Sequence, residues 1–350
     1  MRAYRSEVGA GEFHIATREY FNGRTVAVCG GSGFIGSHVV EQLLVLGAHP
    51  VVPTRDVAPA FLEHFRDYVT LIQCDLENLD ETRAATAGTS VIIDLAARMG
   101  GVEFNGSRPA SQFDQNLRPF MNTIQAAVDN NIERILVTSS ACVYAHDCPV
   151  PTPETEGFVG VPESTNLGYG WAKRMEEFLG WACAQEYGLS VAIARAYNAY
   201  GPRDDFRPDR CHVIPALIRK ALTSTDGCMP VWGDGSATRA FLYVDDFARG
   251  LLEITARYAC CEALNLGTDE IHTIRDTAYL IANLTSQLHG KLVEPIFNDE
   301  GPAGQQFRGS DTSKLSSVLG FSPKVSLEDG LRSTIQWFAA HEDYALRTHT

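Results

Sequence analysis

The stretch TVAVCGGSGFIG, residues 25–36, decides the fold of this 350-residue chain. Its first part, Thr25–Cys29, is apolar and β-branched and predicts a buried strand that ends at the glycines. The apolar residues that follow recur at helical spacing as far as Leu46. Glycines at this junction allow a tight turn and let a pyrophosphate approach the polarised N-terminus of a helix. The stretch therefore predicts a dinucleotide site that contains Gly30, Gly33, Phe34, Ile35 and Gly36.

Apolar strands and amphipathic helices alternate along the chain as far as residue 200. Helices are predicted at Ile35–Leu46, Asp80–Ala87 and Met121–Asn130. The predicted strands are Thr25–Cys29, Pro50–Thr54, Val69–Gln73, Val91–Leu95, Ile135–Thr138 and Val191–Ala194. Because parallel strands need helical crossovers, this order predicts an α/β fold with a Rossmann-type doubly wound parallel sheet.

The pattern changes after residue 200, where Gly, Pro and Asp clusters lengthen the loops. Helices are expected at Val213–Ala221, Ile274–Thr285 and Leu327–Ala340. We expect residues 1–21 to be an N-terminal extension and residues 22–200 to be the dinucleotide-binding domain, to which residues 239–267 return. Residues 201–238 and 268–350 would form a smaller C-terminal substrate-binding lobe. Ligands then bind in the cleft at the carboxyl ends of the strands.

Composition excludes several classes of function. A formal net charge of −14 disfavours binding to the phosphate backbone of nucleic acids. No apolar run reaches the ~20 residues that cross a bilayer, so no membrane partner is expected. The nine cysteines are scattered without a Cys-x-x-Cys pair, which argues against a metal site or a redox dithiol and favours a reducing cytoplasm.

The ends of the next strands bear on the choice of cofactor. An acidic residue after the second strand would bind the ribose 2′-hydroxyl of NAD. Thr54 and Arg55 stand there instead, which favours NADP, whereas Asp56 two positions later keeps NAD open. Further cofactor contacts are expected after the third and fourth strands, at Asp75, Leu76, Leu95, Ala96 and Ala97.

A tyrosine and a lysine four residues apart predict the chemical site. Tyr169 and Lys173 share one helix face, and Ser140 follows the fifth strand. A cationic lysine and an oxidised nicotinamide both stabilise a phenolate, which suits Tyr169 to exchange a proton with a substrate hydroxyl. Ser140 can hydrogen-bond the reacting oxygen. The three residues predict hydride chemistry.

From about Thr25 to Phe338, the chain resembles the nucleotide-sugar branch of the extended short-chain dehydrogenase/reductase superfamily. Residues 95–101, 139–144, 219–226, 232–235 and 238–239 resemble GDP-mannose 3,5-epimerase. Residues 53–56, 198–202 and 211–217 resemble GDP-L-fucose synthase instead. Both families epimerise C3 and C5 of a 4-keto hexose.

The resemblance assigns roles to further residues. It implies that Cys142 and His212 are the acid–base pair of the epimerisation; the 3,5-epimerase pattern has a lysine where this chain has His212. It also implies a homodimer through the helices near residues 121–130 and 174–187. For Arg308 an ordinary surface ion pair is the competing interpretation. The implied sugar-nucleotide ligands are Met99, Gly100, Gly101, Asn198, Arg239 and Arg308.

Four functions remain open from the sequence. The first is a redox-neutral epimerase that forms a transient 4-keto intermediate on a GDP-mannose-like hexose and inverts C3, C5 or both. The second is an epimerase–reductase that receives a 4-keto sugar and consumes NADPH. The third is a simple C4 epimerase. The fourth is a non-catalytic dinucleotide sensor, which would not need Tyr169, Lys173 and Ser140 together.

Overall fold

The computed structural model describes residues 9–56, 58–100, 105–298 and 306–346. Seven parallel strands form the central sheet, in the spatial order β3-β2-β1-β4-β5-β6-β11. They are β1 (Thr25–Cys29), β2 (His49–Thr54), β3 (Thr70–Gln73), β4 (Val91–Asp94), β5 (Arg134–Ser140), β6 (Ser190–Ala196) and β11 (Ala263–Leu266). The strand order reverses between β1 and β4, and ligands of such sheets bind at this reversal. The predicted doubly wound parallel sheet is confirmed.

The helices cover both faces of this sheet. In chain order they are α1 (Ile15–Phe21), α2 (Phe34–Val45), α3 (Leu79–Thr86), α4 (Pro109–Asp129), α5 (Leu167–Tyr187), α6 (Val213–Thr223), α7 (Val244–Arg257), α8 (Ile274–His289), α9 (Ser313–Leu319) and α10 (Leu327–Ala345). None of them, within the described residues, is long and apolar enough to cross a membrane.

Alternating side chains of β1 divide the core into two layers. Val26 and Val28 belong to the layer that contains residues of α2 and α7. Ala27 and Cys29 face the other way, into the layer that contains residues of α4 and α5. This division follows from the two-residue period of a strand.

Helices α1 and α9 were not predicted, and two further helices, α4 and α7, also differ from the sequence-based prediction. The segment predicted at residues 121–130 is the end of the longer α4, whose first half is polar and contains Pro119. The helix α7 was not predicted, because its buried face carries charged side chains. Asp246 and Arg249 pair with each other at 2.7 Å in this helix. Buried charges that are satisfied inside the fold conceal an amphipathic pattern.

From Phe13 onward, the N-terminal segment packs against the core of the large sheet. The His14 backbone N–H and the Thr17 hydroxyl donate to the two carboxylate oxygens of Glu253, at 2.8 and 2.7 Å. Phe13 and Phe21 are buried in the same core layer.

A second apolar core, between residues 200 and 345, lies outside the large sheet. Its short strands are β7 (Ala199–Tyr200), β8 (Cys228–Trp232), β9 (Thr238–Ala240), β10 (Leu242–Tyr243), β12 (Ile271–Thr273) and β13 (Glu294–Asn298). They pair as β7 with β10, β8 with β13 and β9 with β12. Within the segment 239–267, β9 and β10 thus pair outside the large sheet, whereas β11 extends it.

Candidate active site

The glycine turn after β1 leaves no room for side chains. A Cβ atom on Gly36 would lie 2.1 Å from the Gly30 carbonyl oxygen, and one on Gly30, whose φ is +78°, would lie 2.9 Å from the Leu95 carbonyl oxygen. Gly33 caps α2 and has no side chain that could accept from the backbone N–H groups of the first turn, which begins at Phe34 and Ile35. Unpaired N–H groups at the start of a helix bind anions. The turn therefore fits the pyrophosphate of a dinucleotide.

The end of β2 carries no acidic side chain. The Thr54 hydroxyl donates to the Ser32 hydroxyl at 3.3 Å, which ties β2 to the glycine turn. Arg55 and Asp56 are exposed beside it. An open pocket of about 370 Å³ lies at this edge, and its lining includes Thr54, Asp56, Arg66 and Gln73. A guanidinium at this pocket was missed by the sequence analysis, because Arg66 lies in a 3₁₀ segment far from the motif.

The remaining predicted cofactor residues lie at the same edge of the sheet. Asp75 and Leu76 follow β3, and the Leu76 carbonyl accepts from the Asn122 amide of α4 at 2.8 Å. Leu95, Ala96 and Ala97 follow β4, beside the glycine turn. The structure brings these residues to the carboxyl ends of β1 to β4, as the fold requires.

Tyr169 is buried beneath this edge, with an exposed fraction of 4%. Burial raises the pKa of its phenol to about 12, although Lys173 and a hydrogen bond from Ser140 both lower it. The Lys173 ammonium lies 5.6 Å from the centre of the tyrosine ring. In this state Tyr169 is a protonated phenol at neutral pH, and it can act as a proton donor.

Two buried carboxyls accompany Lys173. Its ammonium pairs with Glu176 Oε2 at 2.7 Å, and both side chains are nearly inaccessible. Asp94, the last residue of β4, is also buried and interacts electrostatically with both. Burial alone would lower the pKa of Lys173, but Glu176, Tyr169 and Asp94 raise it above its usual value. We call Asp94, Tyr169, Lys173 and Glu176 the buried charge cluster.

Cys142 lies in a 3₁₀ turn directly after β5. Its backbone N–H donates to the Ser140 hydroxyl at 3.1 Å, which ties the turn to the residue that hydrogen-bonds Tyr169. Arg308 Nη2 donates to Cys142 Sγ at 3.4 Å. Arg308 thus contacts a buried thiol, which contradicts the competing interpretation of a surface ion pair, and bridges of Phe307 to Thr238 and of Ser310 to Thr152 hold its segment.

Arg239 and His212 approach the same guanidinium. Burial and then Arg308 lower the pKa of Arg239 to about 10. Burial also lowers the pKa of His212, and Arg308 adds to this effect. His212 caps α6 without using its side chain, so the imidazole is available for other contacts. We call Cys142, His212, Arg239 and Arg308 the arginine cluster.

The other predicted substrate residues surround this region. Gly100 exchanges hydrogen bonds with the Asn105 side chain at 3.2 and 3.0 Å, and Met99 precedes it. The Asn198 amide donates to the carbonyl of Ala240 at 2.9 Å, and this contact ties Asn198 to β9. Gly101 lies outside the described residues.

Besides Arg66, the sequence analysis missed three candidate residues: Glu176, Asp94 and Glu163. Glu176 was detectable, since it stands three residues after Lys173 on the same helix face. Asp94 was detectable as an acid that ends an apolar strand. Glu163 precedes the tyrosine helix and interacts electrostatically with Arg239 and Arg308, which only the folded chain reveals.

Comparison with known proteins places this geometry in context. The model of the NAD dependent epimerase/dehydratase family matches residues 26–267. The chain is 32% identical to a probable GDP-L-fucose synthase 1 of Oryza sativa subsp. japonica over 320 residues, which cover 90% of this chain and 92% of that one. It is 30% identical to GDP-mannose 3,5-epimerase 1 of the same plant over 317 residues, which cover 89% and 81%.

A solved structure shares the architecture. The UDP-glucose 4-epimerase of Thermotoga maritima superposes with a TM-score of 0.80 at 26% identity, and the match covers 90% of this chain and 99% of that chain.

Proposed function

Since the chain belongs to the NAD dependent epimerase/dehydratase family, and is thus an NAD(P)-dependent nucleotide-sugar enzyme, we propose that it inverts C3, C5 or both of a GDP-linked hexose beside a ketone at C4. The observation that supports this most is the contact of Cys142 with Arg308, with His212 in the same cluster. A C4 ketone acidifies the hydrogens on C3 and C5. One group then removes a proton from one face, and the other returns a proton to the opposite face.

The buried charge cluster serves the carbonyl carbon in this proposal. A nicotinamide cofactor held at the glycine turn of Gly30, Gly33 and Gly36 would provide the hydride chemistry at C4. Ser140 and Tyr169 hydrogen-bond the C4 oxygen, and Tyr169 gives it a proton when the ketone is reduced. Lys173 keeps a positive charge next to the phenol and so stabilises the phenolate that remains.

One observation favours the NADPH-consuming version over the redox-neutral one. At the end of β2, Arg55 follows the uncharged Thr54, and Arg66 lies at the adjacent pocket. These two cations accompany Asp56, which is a nearby carboxylate. Guanidinium groups bind a 2′-phosphate well, and this supports NADP.

The arginine cluster also suits the diphosphate of the substrate. Of its two half-buried guanidinium groups, Arg308 lowers the pKa of Arg239, and the Glu163 carboxylate interacts electrostatically with both. Like charges held together are stabilised by a multivalent anion, and a planar guanidinium pairs with two phosphate oxygens. GDP-L-fucose synthase and GDP-mannose 3,5-epimerase among the relatives support guanosine as the nucleoside.

The test uses two substrates in deuterated water. The protein is incubated with a GDP-4-keto-6-deoxyhexose plus NADPH and, separately, with GDP-mannose without added cofactor. We expect NADPH oxidation in the first reaction and deuterium at C3 or C5 of its product. Deuterated product from GDP-mannose alone would establish the redox-neutral version instead. Turnover without deuterium at either carbon would support the simple C4 epimerase and contradict our proposal.

A homodimer is part of the proposal. The faces of α4 and α5 expose large apolar side chains, among them Met121, Phe178 and Trp181, each about half accessible. Such exposed groups are covered when a second copy packs against them. Light scattering should give twice the mass of the chain, and Trp181→Glu should shift it toward the monomer. A monomeric wild-type mass would contradict the dimer.

A further inference from the structure

Three ionisable side chains are enclosed together beneath Tyr169. Asp94, Lys173 and Glu176 each have an exposed fraction of 2% or less. Lys173 donates to Glu176 Oε2 at 2.7 Å. The second carboxyl oxygen, Glu176 Oε1, is buried and has no hydrogen-bond partner in the described part of the chain. An unpaired buried carboxylate oxygen is costly, and the cost is smaller when the carboxyl is neutral.

The charges of this group do not cancel if both acids are ionised. One ammonium would then face two carboxylates in a dry interior. The neighbouring Glu177 does not relieve this imbalance, because it already forms a buried ion pair with Arg195 at 2.8 Å. A buried site avoids net charge by holding a proton on one acid. Within the described residues, three further groups act on this site: the Tyr169 phenol, the Cys142 thiol through Tyr169, and the Cys29 thiol of the neighbouring β1, which interacts electrostatically with Asp94.

We propose that Asp94, Lys173 and Glu176 form a proton store, in which the two carboxyls share one proton at neutral pH and Lys173 passes it to the Tyr169 phenolate. The pKa values of the two carboxyls are raised, which agrees with this proposal. Burial raises the pKa of Glu176 to about 8 and that of Asp94 to about 6. Because the two acids interact, the proton belongs to the pair rather than to either residue.

Tyr169 gives its hydroxyl proton to the C4 oxygen of the substrate, and a phenolate remains. One N–H bond of the Lys173 ammonium breaks as its proton moves to the phenolate oxygen. The O–H bond of the protonated carboxyl then breaks, and its proton restores the ammonium. The pair ends with two carboxylates and takes up one proton from water before the next cycle. This use of the store rests on the proposed reduction of a ketone, which consumes one proton per turnover.

The store itself is tested without substrate or cofactor. Infrared spectroscopy separates the carbonyl stretch of a protonated carboxyl from that of a carboxylate, and the band shifts in deuterated water. The spectra of wild type, Glu176→Gln and Asp94→Asn are compared at pH 7. Asp204 is also buried, and burial raises its pKa, so its band is the part of the signal that both variants retain.

We expect each single variant to lose one protonated-carboxyl band. Removal of either acid leaves one ammonium with one carboxylate, which needs no extra proton. The exposed Glu186→Gln on the same helix is the matched control and should keep the band. A band that disappears in Glu176→Gln but persists in Asp94→Asn would show a lone protonated glutamate and overturn the sharing. A wild-type spectrum identical to that of Glu176→Gln would overturn the store.

A kinetic measurement tests the transfer to Tyr169. In Glu176→Gln, kcat for ketone reduction should fall about 10-fold, less than the 10²–10⁴-fold that a direct proton donor contributes. The ratio kcat/KM should change little, because the first turnover uses the proton already on Tyr169. An unchanged kcat together with a lost infrared band would confine Glu176 to a structural role. Failure of the proposed function, by contrast, would leave no reduction in the wild type while the infrared result stands.

Discussion

The buried charge cluster and the arginine cluster lie on either side of Ser140 and differ in how they are built. Tyr169, Lys173 and Glu176 stand on one helix, and Asp94 ends a central strand. The four residues of the arginine cluster come from four separate segments, and both of its arginines are half-buried. Proton transfer is favoured in a dry, rigid environment, because charges interact strongly there. Recognition of a large anion needs access, which segments from several parts of the chain can provide.

The largest effect is expected from a substitution of Tyr169, which should separate the activities of the two clusters. In Tyr169→Phe the proton donor to C4 is lost, so ketone reduction should fall by roughly 10²–10⁴-fold. Exchange of the C3 and C5 hydrogens of a 4-keto substrate should persist, because it depends on the arginine cluster. NADPH oxidation and deuterium uptake measure the two separately, with the exposed Tyr187→Phe as control. Loss of both activities to the same extent would mean that the clusters do not act independently.

The reciprocal change is Cys142→Ser. A serine hydroxyl is a far weaker acid than a thiol and cannot take the proton of a C–H bond at neutral pH. Deuterium uptake should fall by about 10²-fold, whereas NADPH binding, followed by fluorescence, should stay unchanged. Cys228→Ser, at an exposed position, should behave as wild type. Undiminished deuterium uptake in Cys142→Ser would remove Cys142 from the inversion.

A smaller effect is expected at the contact between guanidinium and sulfur. Arg308→Ala removes the donor to Cys142 Sγ. A charge-assisted hydrogen bond is worth about 1.5–3 kcal/mol, so deuterium uptake should fall about 10-fold or more. The KM of the nucleotide sugar should rise as well, since the same group is proposed to bind the diphosphate. Arg308→Lys keeps the charge but not the planar fork, and should recover part of each loss. A normal KM together with slow deuterium uptake would show that Arg308 acts on Cys142 and does not bind the diphosphate.

The smallest effect concerns stability and pH. The pKa of Glu176 rises from 4.5 in the unfolded chain to about 8 in the fold. Between these values the folded state binds more protons, so this residue makes the free energy of unfolding fall as pH rises from about 5 to 8. Glu176→Gln should flatten that decline. Each kcal/mol by which the free energy of unfolding then differs from the wild type corresponds to about 2–4 °C in Tm. Glu186→Gln should follow the wild-type slope, and a wild-type slope in both variants would contradict the raised pKa.

The parts that could be predicted are those with local signals. The glycine turn at residues 30–36 follows from steric limits on backbone near a helix start, and Tyr169 and Lys173 follow from helical spacing. The first half of α4 and the whole of α7 gave no such signal, because polar and paired charged residues interrupt the apolar pattern. The contact of Arg308 with Cys142 was the least predictable feature, since 166 positions separate the two residues.

The order of elements, the dinucleotide turn and the tyrosine–lysine pair were determined by the sequence alone, because each depends on residues within a few turns of one another. Tertiary structure decided which charges meet. It brought Asp94 from β4 against the helix of Lys173 and Glu176, and Arg308 from a late segment against Cys142. Burial then set how strongly those charges act, and burial is a property of the packed chain that no short stretch of residues carries.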